Sequence, residues 1–201
     1  LHAPQYTFRA SGMDLELLDW LNTYTFPQEA RYEDTEFAKE AYSIFTEDMK
    51  KSPNTRACIF GTLHVPATEI LMEQLDKTGI KAMVGKVNMD RNGSPQLQEE
   101  SAQASADATI QWIEDTLDKF ENVKPILTPR FTPSCSDALM EKLSEIQKKY
   151  HLPMQSHLSE NFGEIAWVKE LCPNTHFYGE AYSQFDLFGG DCPTIMAHCV
   201  H

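Results

Sequence analysis

Two periods of hydrophobic and polar residues alternate along the chain. Near-continuous apolar, β-branched runs bounded by turn residues predict strands over Arg56–His64, Ile80–Met89, Val123–Phe131, Leu152–Leu158 and Pro193–Val200. Between them, apolar residues at three-and-four spacing, such as Leu139, Leu143 and Ile146, predict helices over Ala67–Lys77, Ser101–Phe120, Ser136–Tyr150 and Glu160–Leu171. Pro66 opens the first of these helices, Ser134 or Ser136 is placed to cap the third, and Ser159 to cap the fourth. Residues 3–52 differ. Two helices, Asp14–Tyr24 and Thr35–Lys51, carry the aromatic residues Trp20, Tyr24, Phe37 and Tyr42, and read as a helical βα insertion folding over the rest.

Strands that are apolar on both faces and alternate with helices call for a parallel sheet covered by helices. No GxGxxG follows the first strand and no Walker loop is present, so the usual marks of the nucleotide-binding open sheets are missing. The polar residues favour a closed barrel. His64, Asp90, Arg130, His157 and His198 fall at the carboxyl ends of the predicted strands, the face on which (β/α)8 barrels build their sites. The expected fold is therefore α/β, a partial (β/α)8 barrel running from the end of strand 1 to strand 6. On that reading residues 1–201 are a segment of one catalytic domain, with further strands on either side, and are not expected to fold alone.

Composition narrows the partners. A net charge of −13 with scattered Lys and Arg disfavours nucleic acid and anionic membrane surfaces. No apolar run reaches the roughly 20 residues that span a bilayer. The cysteines, Cys58, Cys135, Cys172, Cys192 and Cys199, form no CxxC pair and read as buried thiols of a reducing, cytoplasmic compartment. A small neutral ligand remains, held by a pocket.

Three stretches carry candidate chemistry. Gln155-Ser156-His157-Leu158-Ser159-Glu160-Asn161 puts a His at a strand end and a carboxylate three residues on, at the first turn of the next helix. Imidazole is a neutral ligand suited to zinc, and a nearby Glu that does not bind the metal can move protons between water and substrate. The alternative for Glu160 is a favourable charge at a helix N-terminus. Thr194-Ile195-Met196-Ala197-His198 again ends an apolar strand in His. Pro125-Ile126-Leu127-Thr128-Pro129-Arg130-Phe131 sets a guanidinium beside a ring, suited to the polar edge and flat face of a heterocycle, or else to an ordinary salt bridge and core packing. His64 lacks an adjacent proton shuttle and reads as packing behind the site, while Lys86 and Asp90 suggest an ion pair shaping the barrel rim.

Together with Leu1-His2-Ala3-Pro4-Gln5-Tyr6, Tyr24-Thr25-Phe26-Pro27, Gly85-Lys86-Val87-Asn88-Met89-Asp90 and Met196-Ala197-His198, these stretches resemble the guanine deaminases of the amidohydrolase superfamily along the whole chain. One departure is Ser52-Pro53-Asn54-Thr55-Arg56-Ala57, where those proteins tend to carry a Gly-Thr-Thr-Thr run. The resemblance implies zinc, with iron as the alternative, held by His2, His157 and His198, and completed by a His before Leu1 and an Asp beyond His201. It implies guanine bound by Gln5, Arg130 and Phe131, proton transfer by Glu160, and assembly as a homodimer. The implied reaction is hydrolytic deamination of guanine to xanthine and ammonia. The rival readings are a related amidohydrolase acting on another purine or a triazine, and a non-catalytic barrel homologue.

Overall fold

The computed structural model describes residues 1–201, and every strand pairing in it is parallel. Strand β1 (Arg56–Phe60) pairs with β2 (Lys81–Gly85), and β2 pairs with β4 (Val123–Pro125). Beyond these lie β3 (Val87–Asn88) against β5 (Thr128–Pro129), and β6 (Met154–Leu158) against β7 (Thr194–His198). Single bridges join the pieces, His2 to Phe60 and Leu127 to Met154. The wall therefore runs from residues 1–3 through β1, β2 with β3, β4 with β5, and β6 to β7, in chain order and without reversal.

Helices cover this wall in the same order. α3 (Thr35–Lys51) packs on α4 (Val65–Asp76), and α5 (Ala102–Thr116) packs on α6 (Asp137–Tyr150). A doubly wound sheet needs a point where the strand order turns back. This one has none, and the arrangement is that of a partial (β/α)8 barrel. The main core lies between wall and helices, around Leu71, Met72, Trp112, Leu139 and Leu143, all at most 1% exposed. No helix is long and apolar enough to cross a membrane.

Two of the predicted long strands are broken. The run Ile80–Met89 divides at Lys86 into β2 and β3, and the run Val123–Phe131 divides at Ile126 and Leu127 into β4 and β5. The backbones close up there, and a Cβ added to Gly85 would sit 1.7 Å from Thr128 Oγ1. Lys86 is then fully buried and pairs with Glu99, whose other oxygen accepts from Met89 N at 3.0 Å. The pairing of Lys86 with Asp90 expected from sequence is thus corrected. Asp90 instead accepts from Ser136 N at 2.7 Å and Ser136 Oγ at 2.5 Å, at the start of α6.

The helix starts differ at one important place. Ser136 caps α6, accepting from Leu139 N, and Ser101 caps α5, accepting from Ala104 N. Ser159 caps nothing. It turns the chain at φ 52°, so α7 begins late, as Phe162–Leu171, with a capping box made by Asn161 and Glu164. In residues 3–52, α3 begins where predicted, capped by Asp34. The first helical stretch runs later and longer than its predicted limits. It comprises α1 (Leu17–Trp20), a π turn over Leu21–Thr25 and α2 (Phe26–Ala30). Pro27 lacks the N–H of a normal helical bond, and the wider i to i+5 turn just before it accommodates that loss. All five cysteines are free, but only Cys135 and Cys172 are buried; Cys58 and Cys192 are half-buried and Cys199 is exposed, which corrects the reading of buried thiols.

Removing the partner of a buried charge leaves that charge uncompensated, at a cost of about 3–5 kcal/mol. Glu99→Ala in the intact protein is expected to lose stability on this scale, read from urea denaturation midpoints. A loss below about 1 kcal/mol would show that Lys86 finds another partner or water.

Candidate active site

At the carboxyl ends of the strands lies a pocket of ≈ 170 Å³. It is lined by His2, His157, His198 and Glu160, by Gln5, Arg130 and Phe131, and by Trp20 and Leu21. The seven residues singled out in the sequence thus share one cavity. Trp20 ends α1 and Leu21 begins the π turn, and the helical period of that segment does not distinguish them from its other apolar residues.

Each side chain is placed by its element. His2 stands on the strand-like segment beside β1, where Phe60 N donates to Leu1 O at 2.7 Å and Ala3 N donates to Phe60 O at 3.1 Å. His157 and His198 stand on the neighbouring strands β6 and β7. The three rings stack in a row, with centroids 5.0 Å apart for His2 and His157 and 5.6 Å for His157 and His198. His157 Nδ1 donates to Arg130 O at 2.6 Å, which fixes its tautomer and leaves the Nε2 lone pair toward His2, whose Nε2 is 2.9 Å away. Burial lowers the His2 pKa well below its ordinary value and holds His157 down at about 3, with the Arg130 charge adding to the effect and the carbonyl bond opposing it.

Glu160 precedes α7 instead of lying in its first turn. Its N–H donates to Glu164 Oε2 at 2.8 Å, and its own Oε1 lies 3.4 Å from His198 Nε2. Burial pushes the Glu160 carboxyl up, with His198 pulling the other way and the Glu164 charge adding to the rise. Arg130 is 3% exposed and pairs with Glu29, Nη1 to Oε2 at 2.5 Å and Nη2 to Oε1 at 3.2 Å. The Phe26 ring lies 5.2 Å from its Cζ. Phe131 meets the edge of Trp167 at 6.3 Å. His64 stays outside the pocket, its Nε2 buried without a partner. Glu29 was not marked by the sequence. A buried Arg demands a counter-charge, but the chain offers 30 acidic residues and no spacing singles this one out.

No three His, Cys, Asp or Glu side chains of the chain enclose an ion by themselves. The donors nevertheless suit one. Two neutral imidazole nitrogens face each other, one is oriented from behind by a carbonyl, as metal-bound His commonly is, and His2 Nδ1 is buried with no partner in the chain.

Histidines at successive strand ends, opening on the carboxyl face of a parallel wall, define the class: an α/β barrel whose site sits at the mouth. Residues 1–201 match the family model of the amidohydrolase family, and the chain belongs to that family. It is 44% identical over 199 residues to the guanine deaminase of Rattus norvegicus, covering 98% of this chain and 43% of that protein. With the guanine deaminase of Escherichia coli (strain K12) it shares 37% over 202 residues, 100% of this chain and 45% of that protein. The crystal structure of guanine deaminase from C. acetobutylicum with bound guanine in the active site superposes with a TM-score of 0.96 at 50% identity, over 100% of this chain and 47% of that one. The chain spans less than half the length of the curated relatives it matches.

The depressed histidines make a pH prediction. The fold keeps His157 neutral down to about pH 3, whereas the unfolded chain takes up its proton near 6.5. Protonation therefore favours unfolding, and the stability is complete above pH 6.5 and lost as pH falls below it. Metal-free intact protein is expected to lose up to about 1.4 kcal/mol per pH unit for each such His between pH 6.5 and the folded pKa. Denaturation midpoints at pH 7 and 5 test this, and His157→Gln should flatten the curve. An equal slope in that variant would remove His157 as the source.

Proposed function

We propose that this chain carries the base-binding and proton-transferring residues of a guanine deaminase, which converts guanine and water to xanthine and ammonia. The observation that carries the reading is a single pocket lined by an amide, a guanidinium and a ring, Gln5, Arg130 and Phe131, together with Glu160 and three imidazoles. The similarity to guanine deaminases over the full chain, one of them with guanine in its active site, supports the same substrate.

Arg130 and Gln5 hold the polar edge of the base, and Phe131 packs against its face. These contacts place C2 near Glu160, and such placement can contribute several kcal/mol to the rate. Water adds to C2 as Glu160 takes its proton and delivers it to the adjacent ring nitrogen. The C2–N bond then breaks, the amine leaves as ammonia with a proton relayed through Glu160, and the C2–O bond remains in xanthine. The raised pKa of Glu160 suits this exchange, since a carboxyl closer to neutrality both accepts and returns a proton readily. His2, His157 and His198 would hold zinc or iron, which supplies water of pKa about 7, so that hydroxide is available at neutral pH.

Ammonia release from guanine by the intact, metal-loaded protein is the direct test, with xanthine as the product, and no release would sink the proposal. Glu160→Gln should lower kcat by about 100-fold or more while guanine KM changes little. Arg130→Ala should lower kcat/KM by about tenfold or more in protein shown to be folded. Unchanged kinetics in either variant would remove that residue from its role.

A further inference from the structure

Glu29 lies on α2 at 1% exposure and does not line the pocket, yet it holds two of the polar side chains that do, Gln5 and Arg130. Arg130 spends Nη1 on its Oε2 and Nη2 on its Oε1, and Gln5 Nε2 donates to the same Oε1 at 3.0 Å. Because both donors converge on one oxygen, the guanidinium and the amide are held side by side. An ionised carboxylate only accepts hydrogen bonds. The Gln5 amide must therefore turn its NH2 toward Glu29, which leaves its carbonyl oxygen as the end available to a ligand. Arg130, for its part, can only donate.

The turn carrying Gln5 has little freedom to escape this arrangement. It is a 3-10 turn, Pro4–Phe8, whose Pro4 O accepts from the buried Tyr32 hydroxyl at 3.0 Å, just beyond α2. Phe26, one helical turn before Glu29, packs against the guanidinium. A buried ion pair is weak evidence for stability, since apolar residues of similar size often do as well. What apolar residues could not do is dictate which end of an amide faces the pocket.

Resting on the deaminase reading, we infer that Glu29 is a specificity-determining positioning residue: it fixes one acceptor, from Gln5, beside one donor, from Arg130. That pair selects bases presenting an N–H next to a carbonyl, a lactam edge. It rejects bases in which an amino group stands beside an unprotonated ring nitrogen, because the same groups then meet donor to donor and acceptor to acceptor. A site built to hydrogen-bond one pattern discriminates strongly against its inverse, since buried polar groups are left unpaired.

The test uses the intact, metal-loaded protein with guanine as substrate and 2,6-diaminopurine, which carries the inverted edge, as competitive inhibitor. In Glu29→Gln the Gln5 amide is free to present either end. Guanine KM should rise by about tenfold or more with kcat within about threefold, and the ratio of the diaminopurine inhibition constant to guanine KM should fall by about tenfold or more. A purely structural role would lower the melting temperature and leave that ratio alone, so a folded variant with the wild-type ratio overturns the inference. Should Glu29→Gln not fold, Glu29→Asp keeps the charge that Arg130 needs but is one methylene too short to serve both partners. The same fall in ratio is expected there, and an unchanged ratio overturns the inference equally. Wild-type protein that releases no ammonia from guanine overturns the deaminase reading and this inference with it, whereas wild-type turnover with unmoved variants overturns this inference alone.

Discussion

Arg130 ties together parts of the chain that are far apart in sequence. Its N–H donates to Asn88 O at 3.1 Å, holding the strand end in register beside β3. Its carbonyl accepts from His157 Nδ1 and from Ser156 Oγ, so the same residue orients an imidazole on β6. Its side chain pairs with Glu29 on α2. A shift of this strand by one residue would reverse the facing of Arg130 and deprive both His157 and Glu29 of their partner. The net stabilisation from such a buried pair is small, because two charges must first be desolvated. Its effect is geometric: a strand end, a histidine row and helix α2 share one fixed point.

The electrostatics of the pocket follow from that arrangement. The protein carries a net charge of −13, yet the mouth of the barrel holds a cation matched by a single buried carboxylate. Burial holds the pKa of His2 and of His157 down, and Arg130 repels a proton from both. Neutral imidazole is the form that donates a lone pair to a cation. Glu164, buried and hydrogen-bonded to Tyr178 Oη at 2.7 Å and to the Glu160 N–H, adds negative charge behind Glu160 and contributes to its raised pKa.

Much of this was legible in the order of apolar and polar residues. The wall strands, the helices between them and the polar residues at the strand ends follow from periodicity, because a parallel sheet buried on both faces leaves a near-continuous apolar record. Where long-range contact decided the outcome, the pattern was silent. The divisions at Lys86 and at Ile126–Leu127 fall beside the close approach of Gly85 and Thr128, two residues on different strands. The cap at Ser159 failed because a serine there occupies left-handed backbone, and Asn161 with Glu164 offered a better-satisfied start two residues later. Glu29 stayed hidden because any carboxylate can neutralise a guanidinium, and only the packing of α2 selects one.

The π turn at Leu21–Thr25 has a consequence for how this architecture can diverge. Relative to an unbroken α-helix it accommodates one extra residue, and each residue of an α-helix turns the chain by about 100°. Phe26 and Glu29, which follow the turn, owe their facing to that added length. Loss of a single residue between Leu21 and Thr25 would swing the carboxylate away from Gln5 and Arg130 while leaving every pocket-lining side chain in the alphabet of the chain unchanged. The facing of Glu29 is then heritable through insertion and deletion, and comparison of pocket residues alone would not detect the difference.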